Sequence, residues 1–409
     1  MNSRRSLILT YVFVSLAFLW SLLWGKSADH RLGDASLTRW YHHAAEYFAD
    51  HGLQSYGLPV YPPDQPPYTH ITPGPDWIQT IYAALHRLAP FRDFPVFRWN
   101  SILTAIATLA GMFAALAMLA RITSAVIGEA NGMENARRID SARKAVTLLF
   151  LSSAMIQVFS PHPHCSAVML LDAFSLFCVA WWAEHATRKY AERSWLKAQG
   201  LFATAVFIAF WMGLSPTPAV MLWSLAAAYR FGDTSLRGRR LLSLSLVIAA
   251  VLAFAVALKL YQNYLYLGSI DAVLKDVADI LKTRQGVAEN TEYSVLLHLA
   301  KIPWRVFYLF GALGFFALGF ALKTPALFKK ERVLVSMILA AGLIWQLLMR
   351  QHGFHHLYFL QTLFMPLGLT LMLGLSSSEA VSRIARWIPA AAMLQAALLW
   401  SVALIPSLR

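Results

Sequence analysis

Residues 148–177, "LLFLSSAMIQVFSPHPHCSAVMLLDAFSLF", place two apolar segments on either side of a four-residue polar turn. A helix needs about 20 apolar residues to cross a hydrocarbon core about 30 Å thick, so this pattern is typical of a membrane hairpin. Apolar runs that we interpret as spans lie at 6–25, 100–121, 145–160, 165–184, 198–214, 217–230, 241–262, 303–322, 333–350, 357–375 and 387–406. The sequence predicts an all-α polytopic membrane protein with about eleven transmembrane helices, which form a single integral-membrane domain over residues 1–409.

Composition agrees with this class. The 409 residues are 58% hydrophobic and 14% charged, whereas a soluble domain carries about 25% charged residues. The net charge of +14 is interpreted as a topology signal, so no nucleic-acid partner is expected. Cys165 and Cys178 lie in or beside one apolar segment, which favours core packing over a disulfide.

The distribution of Lys and Arg predicts the orientation. With Arg4 and Arg5 in the cytoplasm, alternate loops contain most of the basic residues, and the short opposite loops contain almost none. The cytoplasmic loops hold Arg137, Arg138, Arg143, Lys144, Arg188, Lys189, Arg193, Lys197, Arg230, Arg237, Arg239, Arg240, Lys323, Lys329, Lys330, Arg332, Arg383 and Arg386. Two long loops, 26–99 and 263–302, are then extracytoplasmic.

Histidines collect on the same outer side. Twelve of the thirteen fall there, and two short turns are rich in them: His162 and His164 in one, His355 and His356 in the other. Long loops gather polar residues in any protein, but short turns do not. We therefore expect several helix ends to converge on a polar cavity at the extracytoplasmic face.

The first outer loop predicts two amphipathic helices, at 36–53 and 75–88, around the proline-rich stretch 61–79. Such helices lie along a membrane interface and form a shelf for a lipid headgroup, or they simply pack on the helix bundle. Asp34 precedes the first of them. A carboxylate at that place can act as a general base on an acceptor hydroxyl.

Asp172 lies inside an apolar segment, where an ionisable side chain is costly and is usually functional or paired. It either reaches the floor of the cavity or hydrogen-bonds a neighbouring helix. The His162-Pro-His164-Cys165 run could bind a metal but lacks a recognised zinc spacing. No cofactor is firmly implied, and a divalent metal stays open.

The order of these features resembles the GT-C class of membrane glycosyltransferases, in the branch of bacterial aminoarabinose and protein mannosyl transferases. The similar elements are Asp34, Tyr41 and Gly52, then "YTHITPGPDWIQTIYAAL" with His70, Pro73 and Pro75, and later "HHLYFLQTLFMPLGL". Two differences from the family's pattern make the assignment of individual residues less specific. Ala35 follows Asp34 where the family commonly has Glu, and the family's Pro-Pro is split into "PGP".

The resemblance implies transfer of a sugar from a polyprenyl-phosphate donor to a lipid, glycan or protein acceptor, at the extracytoplasmic face of a bacterial inner membrane. Asp34 would be the base of an inverting reaction, and Arg39 and His70 would hold the donor phosphate. From the histidine-rich outer cavity we expect Arg350, His355 and His356 to lie on its opposite wall and to bind the same phosphate. Candidate residues of the cavity or acceptor site are Tyr41, His42, Asp76, His162, His164, Asp172 and Tyr358. Membrane lipids are expected partners.

Two other classes remain. A polysaccharide polymerase or ligase usually has its large outer loop late in the chain, whereas here the larger loop comes first. A transporter or flippase of lipid-linked substrates should show broken helices near the midplane in repeated halves.

Overall fold

A computed structural model describes residues 8–16, 132–153, 237–285, 295–323, 332–348, 362–377 and 386–404, with single positions or short pieces between 109 and 127, between 199 and 229, and at 360. The helices used below are α1 (8–16), α2 (Ala115–Ser124), α3 (Gly132–Leu151), α4 (Arg237–Leu267), α5 (Ile270–Gln285), α6 (Val295–Phe310), α7 (Ala312–Lys323), α8 (Arg332–Leu348), α9 (Phe364–Ser377) and α10 (Ile388–Leu404). Within these residues there is no strand, so the prediction of an all-helical chain is confirmed for this part.

One described helix is long and apolar enough to cross a membrane by itself. It is Leu241–Tyr261 within α4, and only 17% of its apolar window is buried. Large side chains along it, including Leu242, Leu246 and Phe254, are exposed. The confirmed part of the fold prediction is that the described residues are helical and include one helix able to cross a membrane. The count of eleven spans stays a prediction.

The segment 303–322, expected to be one continuous span, is instead divided. Helix α6 ends at Phe310, α7 begins at Ala312, and the two axes differ in direction by 112°. Gly311 forms the break with a φ of +47°, which belongs to the left-handed region. Both sides of the break are apolar, so hydropathy alone does not reveal it.

Helix α3 also differs from expectation, because it begins at Gly132 rather than near 145 and gives way to a turn after Leu151. Ion pairs one turn apart stabilise its polar half: Arg138 Nη2 lies 2.5 Å from Glu134 Oε1, and Lys144 Nζ lies 2.6 Å from Asp140 Oδ2. The polar and apolar halves are therefore one helix.

The main core joins α3, α7 and α9. The rings of Phe150 and Phe364 are 4.3 Å apart between centroids, and both side chains are buried. Phe320 packs against Gly374, where an added Cβ would lie 2.6 Å from the Phe320 Cβ, so the two helices approach closely only because this residue is glycine. Leu281 of α5 and Ile302 of α6 pack on the same core.

Contacts fix the relative directions of the helices. Phe150 meets Phe364, and Val146, one turn earlier in α3, lies beside Gly368, one turn later in α9, so the two helices are antiparallel. Thr10 meets Met393 and Val14 meets Ala396, so α1 and α10 are parallel. These are the directions that the charge-based topology requires.

Candidate functional site

The 112° break between α6 and α7, here called the elbow, is stabilised by the hydrogen bonds of one side chain, Gln395. The backbone N–H of Ala312 donates to Gln395 Oε1 at 2.8 Å, and Gln395 Nε2 donates to the carbonyl of Ser152 at 2.9 Å. A break leaves backbone groups without helical partners, and in a membrane these must be satisfied within the protein. Gln395 thus ties the start of α7 and the end of α3 to α10.

Helix α6, which leads into the elbow, presents an exposed side that is apolar throughout. We call it the apolar arc; its large members are Leu296, Leu297, Leu299, Trp304, Phe307 and Tyr308. Leu296 is 81% exposed and Trp304 is 65% exposed, whereas a soluble protein would turn such residues inward. The exposed side of this helix is therefore apolar from Leu296 to Tyr308.

The opposite side of α6 carries three basic or ionisable residues one turn apart, His298, Lys301 and Arg305, here called the basic stripe. His298 is only 1% exposed, and Lys301 and Arg305 are half-buried. Residues spaced by three or four positions lie on one helix face, so the stripe presents its polar atoms together on the protein side. A surface of this kind can hold an anionic group beside an apolar environment.

A second polar group lies where α4 meets α5. Lys259 and Asn263 are one turn apart in α4 and are almost fully buried, and the Asp276 carboxylate of α5 acts electrostatically on Lys259. Among the residues that the structure describes, no hydrogen bond reaches either amide atom of Asn263. The turn between the helices is fixed by Gly268, with φ +75°, and by Ser269 Oγ, which accepts the Ala272 N–H at 3.1 Å.

At the opposite end of the bundle, the Tyr11 hydroxyl donates to the Lys144 carbonyl at 3.0 Å and joins α1 to α3. Hydrogen bonds from Lys144 and Arg143, together with their charges, hold the pKa of Asp140 below its usual value. Asp140 is partly exposed, so these pairs form a solvated basic surface rather than a reaction centre.

None of the sequence-predicted site residues falls within the described ranges, so their arrangement stays a prediction. They are Asp34, Arg39, Tyr41, His42, His70, Asp76, His162, His164, Asp172, Arg350, His355, His356 and Tyr358. The proline-rich stretch 61–79 and the amphipathic segments 36–53 and 75–88 also lie outside them. In the part of the chain that is described, no group of three or more His, Cys, Asp or Glu side chains could hold a metal ion.

Sequence reasoning singled out His298 only as one of many outer histidines, and it did not single out Lys259, Lys301 or Arg305. Their signal was a cation at helical spacing inside or beside an apolar segment: Lys259 and Arg305 fall inside expected spans, and Lys301 falls in the long outer loop 263–302. The comparisons with known proteins give no match: no family model, curated protein or solved structure is similar to the chain.

Proposed function

We propose that this protein is a membrane glycosyltransferase that moves a sugar from a polyprenyl-phosphate donor to an acceptor hydroxyl at the extracytoplasmic face. The observation that carries the proposal is the two-sided character of α6, with its apolar arc outward and its basic stripe toward the protein. A polyprenyl-phosphate donor has the matching chemistry, because its tail needs lipid and its phosphate needs cations.

Membrane insertion is the first element of the proposal. A core helix of a soluble protein is mostly buried, whereas the apolar window of α4 is mostly exposed. Burial of apolar surface stabilises by about 25 cal/mol per Å², so leaving this helix in water would be costly. The proposed location is the bacterial inner membrane, with the active site toward the periplasm.

Cations within this assembly support an anionic substrate. Charged residues near a membrane interior are costly and usually mark a functional site. Lys259 lies near the end of α4 that the charge-based topology puts outside, and the basic stripe belongs to the following outer segment. Both are therefore expected at the level where a lipid phosphate resides.

The proposed reaction is a single inverting displacement. The acceptor oxygen attacks the anomeric carbon, the bond from that carbon to the phosphate oxygen breaks, and polyprenyl phosphate leaves with the electron pair. Asp34 takes the acceptor proton. Arg39, His70, Arg350, His355 and His356 are proposed to stabilise the charge that grows on the departing phosphate.

A transporter or flippase of lipid-linked substrates is the second candidate, because the elbow is a broken helix and broken helices are common in transporters. The two candidates differ in product. A transferase forms a new glycosidic bond, whereas a transporter returns an unchanged substrate on the other leaflet.

The deciding experiment uses purified full-length protein in proteoliposomes with radiolabelled polyprenyl-phosphate sugars and an envelope extract as acceptor. We expect label in a new product, and we expect Asp34→Asn to abolish it while Asp279→Asn, an exposed carboxylate of α5, leaves it unchanged. Movement of intact donor between leaflets without product would favour the transporter. The lipid-linked species that accumulates when the gene is deleted would identify the donor.

A further inference from the structure

The direction of α6 relative to the bundle carries an inference independent of the reaction. Helix α7 runs within the bundle, where Leu313, Ala317 and Phe320 are buried and Phe320 meets Gly374 of α9. Its start lies beside Ser152, through Gln395, and its later turns follow α9. The axis of α7 therefore follows the bundle axis.

The axis of helix α6 is nearly perpendicular to that of α7. A direction change of 112° puts α6 about 22° from the plane perpendicular to α7, since the angle exceeds a right angle by that amount. With transmembrane helices tilted by about 20° on average, α6 remains closer to the membrane plane than to its normal.

The two faces of α6 also suit an in-plane position. The apolar arc occupies one half of the helix circumference and includes Trp304 and Tyr308, residue types that concentrate at membrane interfaces. The basic stripe lies opposite. With the arc toward the acyl chains, the stripe faces the protein, where His298 is only 1% exposed, so the charged side chains are kept away from the hydrocarbon.

We infer that α6 lies closer to the plane of the membrane than to its normal and does not cross the bilayer, with its apolar arc against the acyl chains. Helix α7, with 12 residues, then enters the bundle alone and reaches about 18 Å, short of the full hydrocarbon core. Helix α7 ends at Lys323, on the side that the charge-based topology puts in the cytoplasm, so the elbow lies within the bilayer and is the point at which the chain turns along the bundle axis.

Depth measurements along the helix test this. Cys165 and Cys178 are replaced by Ser, and single cysteines at Leu296 and Phe307 are spin-labelled in proteoliposomes to measure immersion depth by oxygen and nickel-chelate relaxation. A spanning α6 would separate these labels in depth by about 16 Å, and an in-plane α6 inclined by 22° separates them by about 6 Å. Labels at Leu246 and Phe254, exposed on α4, provide the matched control with about 12 Å expected.

A depth change per residue along α6 below half of that along α4 supports the inference, and a value at or above half overturns it. A second copy of the chain on the apolar arc would overturn it as well. It would appear as dipolar broadening between labels at Phe307 together with loss of oxygen access. Variants that do not yield folded protein are replaced by labels at Leu297 and Trp304, which belong to the same arc.

Discussion

The side-chain amide of Gln395 donates to the carbonyl of Ser152 at 2.9 Å, across 243 positions of sequence. The same side chain accepts the N–H of Ala312, so three helices meet at one amide. One glutamine in a mainly apolar helix thereby connects the end of α3 to the start of α7.

Replacement of Gln395 by Leu should destabilise the protein. The substitution leaves the Ala312 N–H and the Ser152 carbonyl without this partner, and a buried group left unsatisfied costs about 1–3 kcal/mol. Thermal unfolding in detergent measures the loss. Leu394→Met, the neighbouring residue of the same helix and an exposed one, is the control and should change stability by less than about 1.5 kcal/mol. Equal midpoints for Gln395→Leu and the parent protein would contradict the bridging role.

The conformation at Gly311 can be tested with a matched pair of glycines. Gly311→Ala should destabilise by about 1 kcal/mol or more, because φ is +47° and the new Cβ would lie 2.6 Å from Gln395 Oε1. Gly319→Ala, in the middle of α7 with open space around it, should be neutral or stabilising. The unfolding midpoint of Gly311→Ala should fall and that of Gly319→Ala should stay or rise, and a midpoint of Gly311→Ala at or above that of the parent would contradict the elbow geometry.

Acid should weaken the polar half of α3. The folded-state pKa of Asp140 is held down by Lys144 and Arg143, so its contribution to stability is present above the unfolded pKa of about 3.9. That contribution is lost as pH falls from there through the lower folded value. The effect is small because the pair is partly exposed. Circular dichroism from pH 7 to pH 2 should show a smaller acid-induced loss of helix in Asp140→Asn than in the parent; an equal loss would refute the linkage.

The basic stripe should contribute to donor affinity. Under the proposed function, Arg305→Gln removes a charge-assisted contact to phosphate worth about 1.5–3 kcal/mol, which corresponds to at least tenfold weaker binding. Lys282→Gln, an exposed lysine of α5, is the control and should bind normally. Binding of polyprenyl-phosphate donor to reconstituted protein provides the measurement. Unchanged donor affinity in Arg305→Gln would show that the basic stripe is not part of the phosphate site.

The two histidine-rich regions should act together if they grip one phosphate. His70→Ala and His356→Ala would each weaken donor binding, and the double variant should differ from the sum of the two effects, because residues in one network are coupled. Apparent donor affinities of the four proteins complete the cycle. Strictly additive losses, or unchanged affinity with reduced yield, would refute a shared site.

Hydropathy predicted the positions of the apolar helices well where the chain continues regularly. Helix α8 lies at Arg332–Leu348 and α10 at Ile388–Leu404, close to the expected runs 333–350 and 387–406. Hydropathy missed the break at Gly311, because a positive φ leaves no trace in composition when both neighbours are apolar. It also missed the start of α3, where ion pairs rather than apolar residues support the helix.

The candidate site was only partly visible in sequence for a different reason. The stripe of His298, Lys301 and Arg305 has helical spacing, but which way it faces depends on the 112° turn that follows. Asp34 and His70 lie far from it along the chain, so their relation to the stripe depends on tertiary structure that no local pattern encodes.

The parallel pairing of α1 with α10 has a consequence for biogenesis. Thr10 and Val14 can contact Met393 and Ala396 only after nearly the whole chain has been synthesised. A nascent chain that stops before α10 leaves that side of α1 uncovered and leaves the Ala312 N–H without Gln395. The earlier helices can form during translation, but this part of the bundle closes only when residues 388–404 have left the ribosome.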